Sequence, residues 1–184
     1  MFSASVLASL ALTLLPAVQA QAYIPYAWNT SAPAIHDQAI TASYGIFDIS
    51  DRTTGFCPDW DPDCPSKNTT ILSGPGDDGS MWMGSLRGGQ QIYTFSGGLA
   101  YTQPDSVSVY LHEFHTNFTV EADAEVGADV LRLNGDDWYI CEYYSVPLKV
   151  FAAVSGEPAD ATGPCYKAVI RLEETNAPAV DLYG

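Results

Sequence analysis

Apolar and polar positions in this chain alternate over short distances, with no stretch after residue 20 keeping the spacing of an amphipathic helix. Short runs carry β-branched and aromatic side chains or switch between apolar and polar: 44–49, 80–86, 91–95, 99–102, 107–111, 118–121, 130–133, 138–141, 148–154 and 168–172. In one of them Val107, Val109 and Leu111 share a face, while Ser106, Ser108 and Tyr110 take the other. Turn signals separate the runs: Gly74-Pro75-Gly76-Asp77-Asp78-Gly79, Gly88-Gly89, Gly97-Gly98, Asn134-Gly135-Asp136-Asp137 and Gly163-Pro164. The clearest hairpin spans Leu131 to Ile140, with Asn134-Gly135 supplying positive φ at its tip. Short strands at near-regular spacing predict an all-β fold. A single compact antiparallel β-sandwich or barrel over 21–184 is expected, with a β-trefoil as the alternative that periodicity does not separate.

The first 20 residues follow a different pattern. Phe2 to Val18 is apolar or small and uncharged, and Val18-Gln19-Ala20 has the small-x-small form of a signal-peptidase site. The run is short for a membrane span and gives way quickly to polar sequence. Residues 1–20 are therefore read as a secretory signal peptide, although no basic residue precedes the apolar run. Ala20-Gln21-Ala22 offers a second cleavage point.

Charge narrows the partners. Twenty-two acidic residues against seven basic ones give a net charge of −15, which repels nucleic acid and anionic membranes. Acidity on this scale also suits disorder, but 47% hydrophobic and 12% aromatic residues argue for a packed core. No apolar tail follows Glu174, so no lipid-linked C-terminal anchor is expected. Three sequons, at Asn29, Asn68 and Asn117, are eligible for N-glycosylation in a secreted eukaryotic protein.

Four cysteines suit an oxidising compartment and allow three pairings. Cys57 and Cys64 flank the turn-rich Pro58-Asp59-Trp60-Asp61-Pro62-Asp63, which can bring them together. That pairing leaves Cys141 with Cys165. In the chain-entropy picture the closures contribute roughly 2.5 and 3.5 kcal/mol. Asp59, Asp61 and Asp63 suggest calcium, but an EF-hand loop begun there would need glycine at Cys64 and glutamate at Thr70. His112-Glu113-Phe114-His115 spaces its histidines three apart rather than four, and His36 has no partner nearby in sequence. No metal or cofactor is expected. Adjacent carboxylates at Asp136-Asp137 and Glu173-Glu174 do not form a catalytic pair, because strand neighbours face opposite ways. No nucleophile elbow or phosphate-cradling loop is present either. Trp28, Trp60, Trp82, Tyr143 and Tyr144 could offer rings to sugar CH faces.

Several stretches then carry a likeness. They are Ser31-Ala32-Pro33-Ala34-Ile35-His36, Phe56-Cys57-Pro58 with Asp63-Cys64-Pro65, and Gly88-Gly89-Gln90-Gln91-Ile92-Tyr93 followed by Gly97-Gly98-Leu99-Ala100-Tyr101-Thr102-Gln103. Ile140-Cys141, Lys149-Val150-Phe151-Ala152 and Cys165 complete the set. Together they resemble small secreted fungal cell wall proteins of the phialide type (PhiA-like) and fungal IgE-binding proteins. The chain departs from that pattern with Ile140-Cys141-Glu142, where the family has Ala-Cys-Pro. The resemblance implies a secreted or wall-associated glycoprotein without known catalysis and supplies no catalytic residue. Its expected partners are wall polysaccharide, a host glycan or an antibody.

Overall fold

The protein was analysed as a computed structural model, which describes residues 21–49, 52–56, 68–84, 89–103, 114–144, 146–176 and 182–183. The expected leader at 1–20, the Cys57–Cys64 loop with Trp60 and its aspartates, the strand at 107–111, and His112 and Glu113 lie outside the described residues. The all-β expectation is met. About 50% of the described residues are strand, most of them in one curled antiparallel sheet that forms a half-barrel. Among the described residues the only helical turn is a 3₁₀ turn at Ala153–Ser155.

In chain order the strands are β1 (Ala22–Trp28), β2 (Gln38–Ala39), β3 (Thr41–Ser43), β4 (Ile46–Asp48), β5 (Gly55–Phe56), β6 (Leu72–Ser73), β7 (Trp82–Met83) and β8 (Ile92–Phe95). They continue as β9 (Gly98–Tyr101), β10 (Phe118–Asp123), β11 (Ala128–Leu133), β12 (Trp138–Tyr143), β13 (Val146–Ala152), β14 (Cys165–Glu174) and β15 (Leu182–Tyr183). The main path runs β3-β4-β9-β13-β12-β14-β1-β6-β7, with β15 and β5 paired separately.

Strand β14 is the hub. It is ten residues long and alternates cleanly: Ala168, Ile170 and Leu172 are buried in the core, and Lys167, Arg171 and Glu173 face outward. One edge carries β1 in register from Tyr23↔Glu174 to Trp28↔Val169. The other carries β12 along Cys165–Ala168 and then β11 along Asp129↔Leu172 to Leu131↔Ile170. Both legs of the β11–β12 hairpin thus share one edge and must part where they meet it. Trp138 fills that fork. Its side chain is fully buried, lies parallel to Phe118 with centroids 6.5 Å apart, and donates its indole N–H to the Leu131 carbonyl at 2.7 Å. The hairpin tip is as the pattern predicts, with Asn134 and Gly135 at φ 54° and 79° and a bridge closing Leu133 to Asp136.

The pattern did not mark β1, because Pro25 sits in its middle. Proline has no N–H to give a ladder. In a strand, a residue's N and C=O point to the same edge, and the Pro25 carbonyl accepts from the Ile40 amide, away from β14. The missing donor therefore falls between the short β2 and β6 pairings, where the β14 ladder does not need it. Other boundaries shift by a few residues. Tyr44-Gly45 is a tight turn rather than strand, and the run through Val154 ends as a strand at Ala152.

The second expected bridge is present. Cys141 and Cys165 face each other directly across β12 and β14, with Cα atoms 4.1 Å apart. That separation matches the close, non-hydrogen-bonded pair of an antiparallel ladder, about 4.5 Å between Cα atoms. The bridge closes a segment with a sequence separation of 24.

Two stability outcomes follow. Cys141→Ser should cost about 3–5 kcal/mol in urea unfolding, and non-reducing peptide mapping should recover the Cys141–Cys165 peptide. Trp138→Phe keeps the ring stack and removes the indole's bond to the Leu131 carbonyl, at a cost of about 0.5–1.5 kcal/mol. A cost near zero would mean that the Leu131 bond does not hold the fork.

Candidate functional site

Three clusters lie on the outward face of the sheet. The first surrounds Arg132 of β11, whose guanidinium meets Glu121 at 2.5 Å, Asp123 at 3.0 Å and Asp137 in a further close contact. Lys167 reaches the same Asp137 at 3.3 Å. Glu121 and Asp123 come from β10, across the hairpin from Arg132, and Asp137 from the turn that leads into β12. The Asp123 carboxyl is held below its ordinary range mainly by the Val126 and Glu125 amides, with Arg132 adding to the effect. A carboxyl with depressed pKa is poorly suited to general-acid work, which requires the opposite shift. The cluster reads as a surface ion network. Asp136 closes the hairpin turn, while Asp137, not foreseen from sequence, pairs with Arg132 and Lys167.

The second cluster centres on Arg171 of β14. Its guanidinium carbon lies 4.6 Å from the Tyr26 ring centroid and 5.8 Å from that of Trp28, and it pairs with Asp37 at 2.7 Å. His36 packs edge-on against Trp28 at 4.4 Å. His36, which has no partner nearby in sequence, thus has an aromatic neighbour, reached through the turn that joins β1 to β2. Burial, then Glu173, raise the Tyr26 hydroxyl above its usual pKa. Next to this patch Asn29 uses its whole amide: Nδ2 donates to the Lys167 carbonyl at 2.7 Å and Oδ1 accepts from the Ser31 amide at 2.8 Å. The other two sequon asparagines, Asn68 and Asn117, are exposed.

The third cluster is built by register across four strands. Phe95 of β8 faces Gly98 of β9, Gly98 faces Phe151 of β13, and Phe151 faces Tyr139 of β12. Gly98 leaves room in this row, and Lys149 takes it: a Cβ at position 98 would lie 2.5 Å from Lys149 Cε. The Lys149 ammonium then sits 4.9 Å from the Tyr143 ring centroid and 5.1 Å from that of Phe151. Tyr143 packs on Phe151 at 5.4 Å and donates its hydroxyl to Asp160 at 2.9 Å. Tyr144 stands beside it, 71% exposed and at φ 49°. Such a backbone angle is an outlier for a bulky side chain. It is held by Thr162, whose Oγ1 accepts from the Tyr144 amide at 2.9 Å and whose own amide donates to Glu142 at 3.0 Å. Burial depresses the Lys149 pKa, and Asp160 partly opposes this. The folded state therefore binds fewer protons than the unfolded one just below 10.5, the ordinary lysine value, so this group makes stability rise with pH there.

The aromatic residues singled out by sequence are divided among these places. Trp28 is half-buried under Arg171, Trp82 is half-buried in β7, and Tyr143 and Tyr144 belong to the Lys149 cluster. They do not form one flat platform, since Tyr143 and Tyr144 meet at 89°. Lys149, Phe95, Asp160, Tyr26 and Arg171 were not foreseen, because only strand register brings them to the rings. The glycine- and glutamine-rich block is built into the β8–β9 hairpin. Gln90 is buried and donates to the Thr102 carbonyl at 2.9 Å, and the Gln91 amide donates to Thr102 Oγ1 at 2.9 Å. Among the described residues no group of His, Cys, Asp and Glu is placed to hold a metal, and no helix is long and apolar enough to cross a membrane. No family model, curated protein or solved structure matches the chain.

The Asp123 environment makes a direct prediction. By carboxyl NMR titration Asp123 should protonate below the ordinary 3.8, and whatever stability its ionised form contributes is lost as pH falls through the folded value. In Arg132→Met the titration should move upward yet stay below normal, because the two backbone donors remain.

Proposed function

We propose that this protein is a non-catalytic secreted glycoprotein of the fungal cell wall or extracellular matrix. The apolar leader, the three sequons, the paired cysteines and the resemblance to phialide-type wall proteins all support that reading. The structural observation that carries it lies at the start of β1. The Gln21 carbonyl accepts from the Gly74 amide, and Ala22 is buried, faces Ser73 and accepts from the Thr175 amide at 2.9 Å. Cleavage after Ala20 keeps this strand whole, whereas cleavage after Ala22 would remove the bonds of both residues. The fold thus favours the first cut, and the segment it would release is the leader alone.

Carboxylate placement also favours a structural over a hydrolytic role. The acids that converge on the described surface converge on Arg132 and on Arg171 rather than on each other, and the shift resolved for Asp123 is downward. A host glycan or an antibody would meet the same acidic surface, so a host-facing role as an antigen is compatible with the wall reading.

Fractionation of the producing cells tests this. The protein should be recovered from wall extract or culture medium, with Gln21 as its first residue by mass spectrometry and with glycan on at least one of Asn29, Asn68 and Asn117. Recovery only inside cells, with residues 1–20 still attached, would reject the proposal.

A further inference from the structure

We infer that the Lys149 cluster is a binding site for a neutral polysaccharide chain, running over Tyr144, Tyr143 and Lys149 toward Phe95. The inference deepens the wall reading and rests on it for biological context, but the binding itself can be measured on purified protein.

Two observations point to a ligand. Phe95 at 45% and Tyr144 at 71% exposure, two of the four exposed large hydrophobic side chains among the described residues, belong to this one strip. Tyr144 opens the two-residue connection between the paired Tyr143 and Val146, a hairpin turn that itself calls for positive φ, and the Thr162 bonds brace it there. Lys149 is the second. Among the described residues Arg132, Lys167 and Arg171 each contact a carboxylate, yet Lys149 has none within ion-pair distance and rests instead on two ring faces. In a chain of net charge −15, a cation kept off the available acids has its donors free for something else.

Charge then selects the ligand class. Rings offer their faces to the CH groups of pyranose sugars, Lys149 offers donors to hydroxyl or acyl oxygens, and Asp160 offers an acceptor to hydroxyls. An anionic uronate polymer would be repelled by the surface as a whole. A polycationic amino-sugar polymer would meet the Lys149 ammonium at the centre of the strip. A neutral β-linked glucan or N-acetylated chitin pays neither cost. Strand spacing and the ring separations make the strip on the order of 15–20 Å long, which suits a short run of sugar residues rather than a single one.

The test uses purified full-length secreted protein in pull-downs with insoluble β-1,3-glucan and chitin, and with deacetylated chitin and polygalacturonate as charged comparators. Tyr144→Gly removes the ring while relieving the positive φ, so it should keep or raise thermal stability and weaken binding by about tenfold or more. Lys149→Met keeps the stem over Gly98 and removes the donors, and should weaken binding as well. Tyr44→Gly is the control: Tyr44 is 88% exposed at φ 50°, but its turn lies by Tyr101 at the far end of β9, and binding should not change. The expected result is salt-insensitive capture by a neutral polymer, reduced in both site variants and unaltered in the control. Three outcomes would overturn the site: no capture by either neutral polymer, equal capture by Tyr144→Gly, or capture only by deacetylated chitin that salt abolishes. Capture by purified protein that never leaves the cell would uphold the site and reject the wall reading. Wall retention unaffected by Tyr144→Gly, with no capture in vitro, would do the reverse.

Discussion

Everything in this fold hangs on the two edges of β14. One edge must accept β1 from the far end of the sequence, and the other must accept two legs of a single hairpin in succession. A flat ladder cannot satisfy the second demand, since paired legs of a hairpin lie side by side rather than end to end. The sheet bends and the legs part. The indole of Trp138 fills the parting and donates to the Leu131 carbonyl beside it. One side chain thus fills the space and adds a buried hydrogen bond, a net contribution of about 0.5–1.5 kcal/mol. The curl toward a half-barrel and the position of the core on its inner side are consequences of that division.

Outward positions on the same strands divide differently. Their charged residues sort into an ion network on β10–β11 and a cation held between rings on β1–β14, while the β8–β9–β13 row keeps its lysine on aromatic faces alone. Exposed ion pairs contribute little to stability, typically well under 1 kcal/mol. Their clearer effect here is on availability: they occupy Arg132 and Arg171 and leave the acidic remainder to set the field around the molecule. Lys149 escapes this because its stem is trapped over Gly98, which holds its ammonium above the rings.

Sequence pattern carried much of the fold and little of the site. Strict alternation in 168–172 and the Asn134-Gly135 turn were legible because period and positive φ are local properties. Pro25 hid β1, since a central strand that tolerates proline depends on a gap in the partner ladder, and that gap is created by the lengths of β2 and β6. The Cys141–Cys165 pair could be read by apportioning four cysteines, but its place in direct cross-strand register could not. The Lys149 cluster was the least legible. Phe95, Gly98, Lys149 and Tyr143 are separated by loops of unrelated composition, and only the pairing of β8, β9, β13 and β12 makes them neighbours.

Joining β1 to β14 also imposes an order in time. Residues 22–28 cannot find their long partner until 165–174 have been made, so the sheet closes late, and contacts of such high sequence separation form slowly. Until then the Asn29 amide has no Lys167 carbonyl to dock on. A glycosylating enzyme acting on the emerging chain would meet that asparagine open, and a finished domain would present it already engaged. The topology thus sets a window in synthesis for chemistry at Asn29, a form of timing written into strand order rather than into any motif.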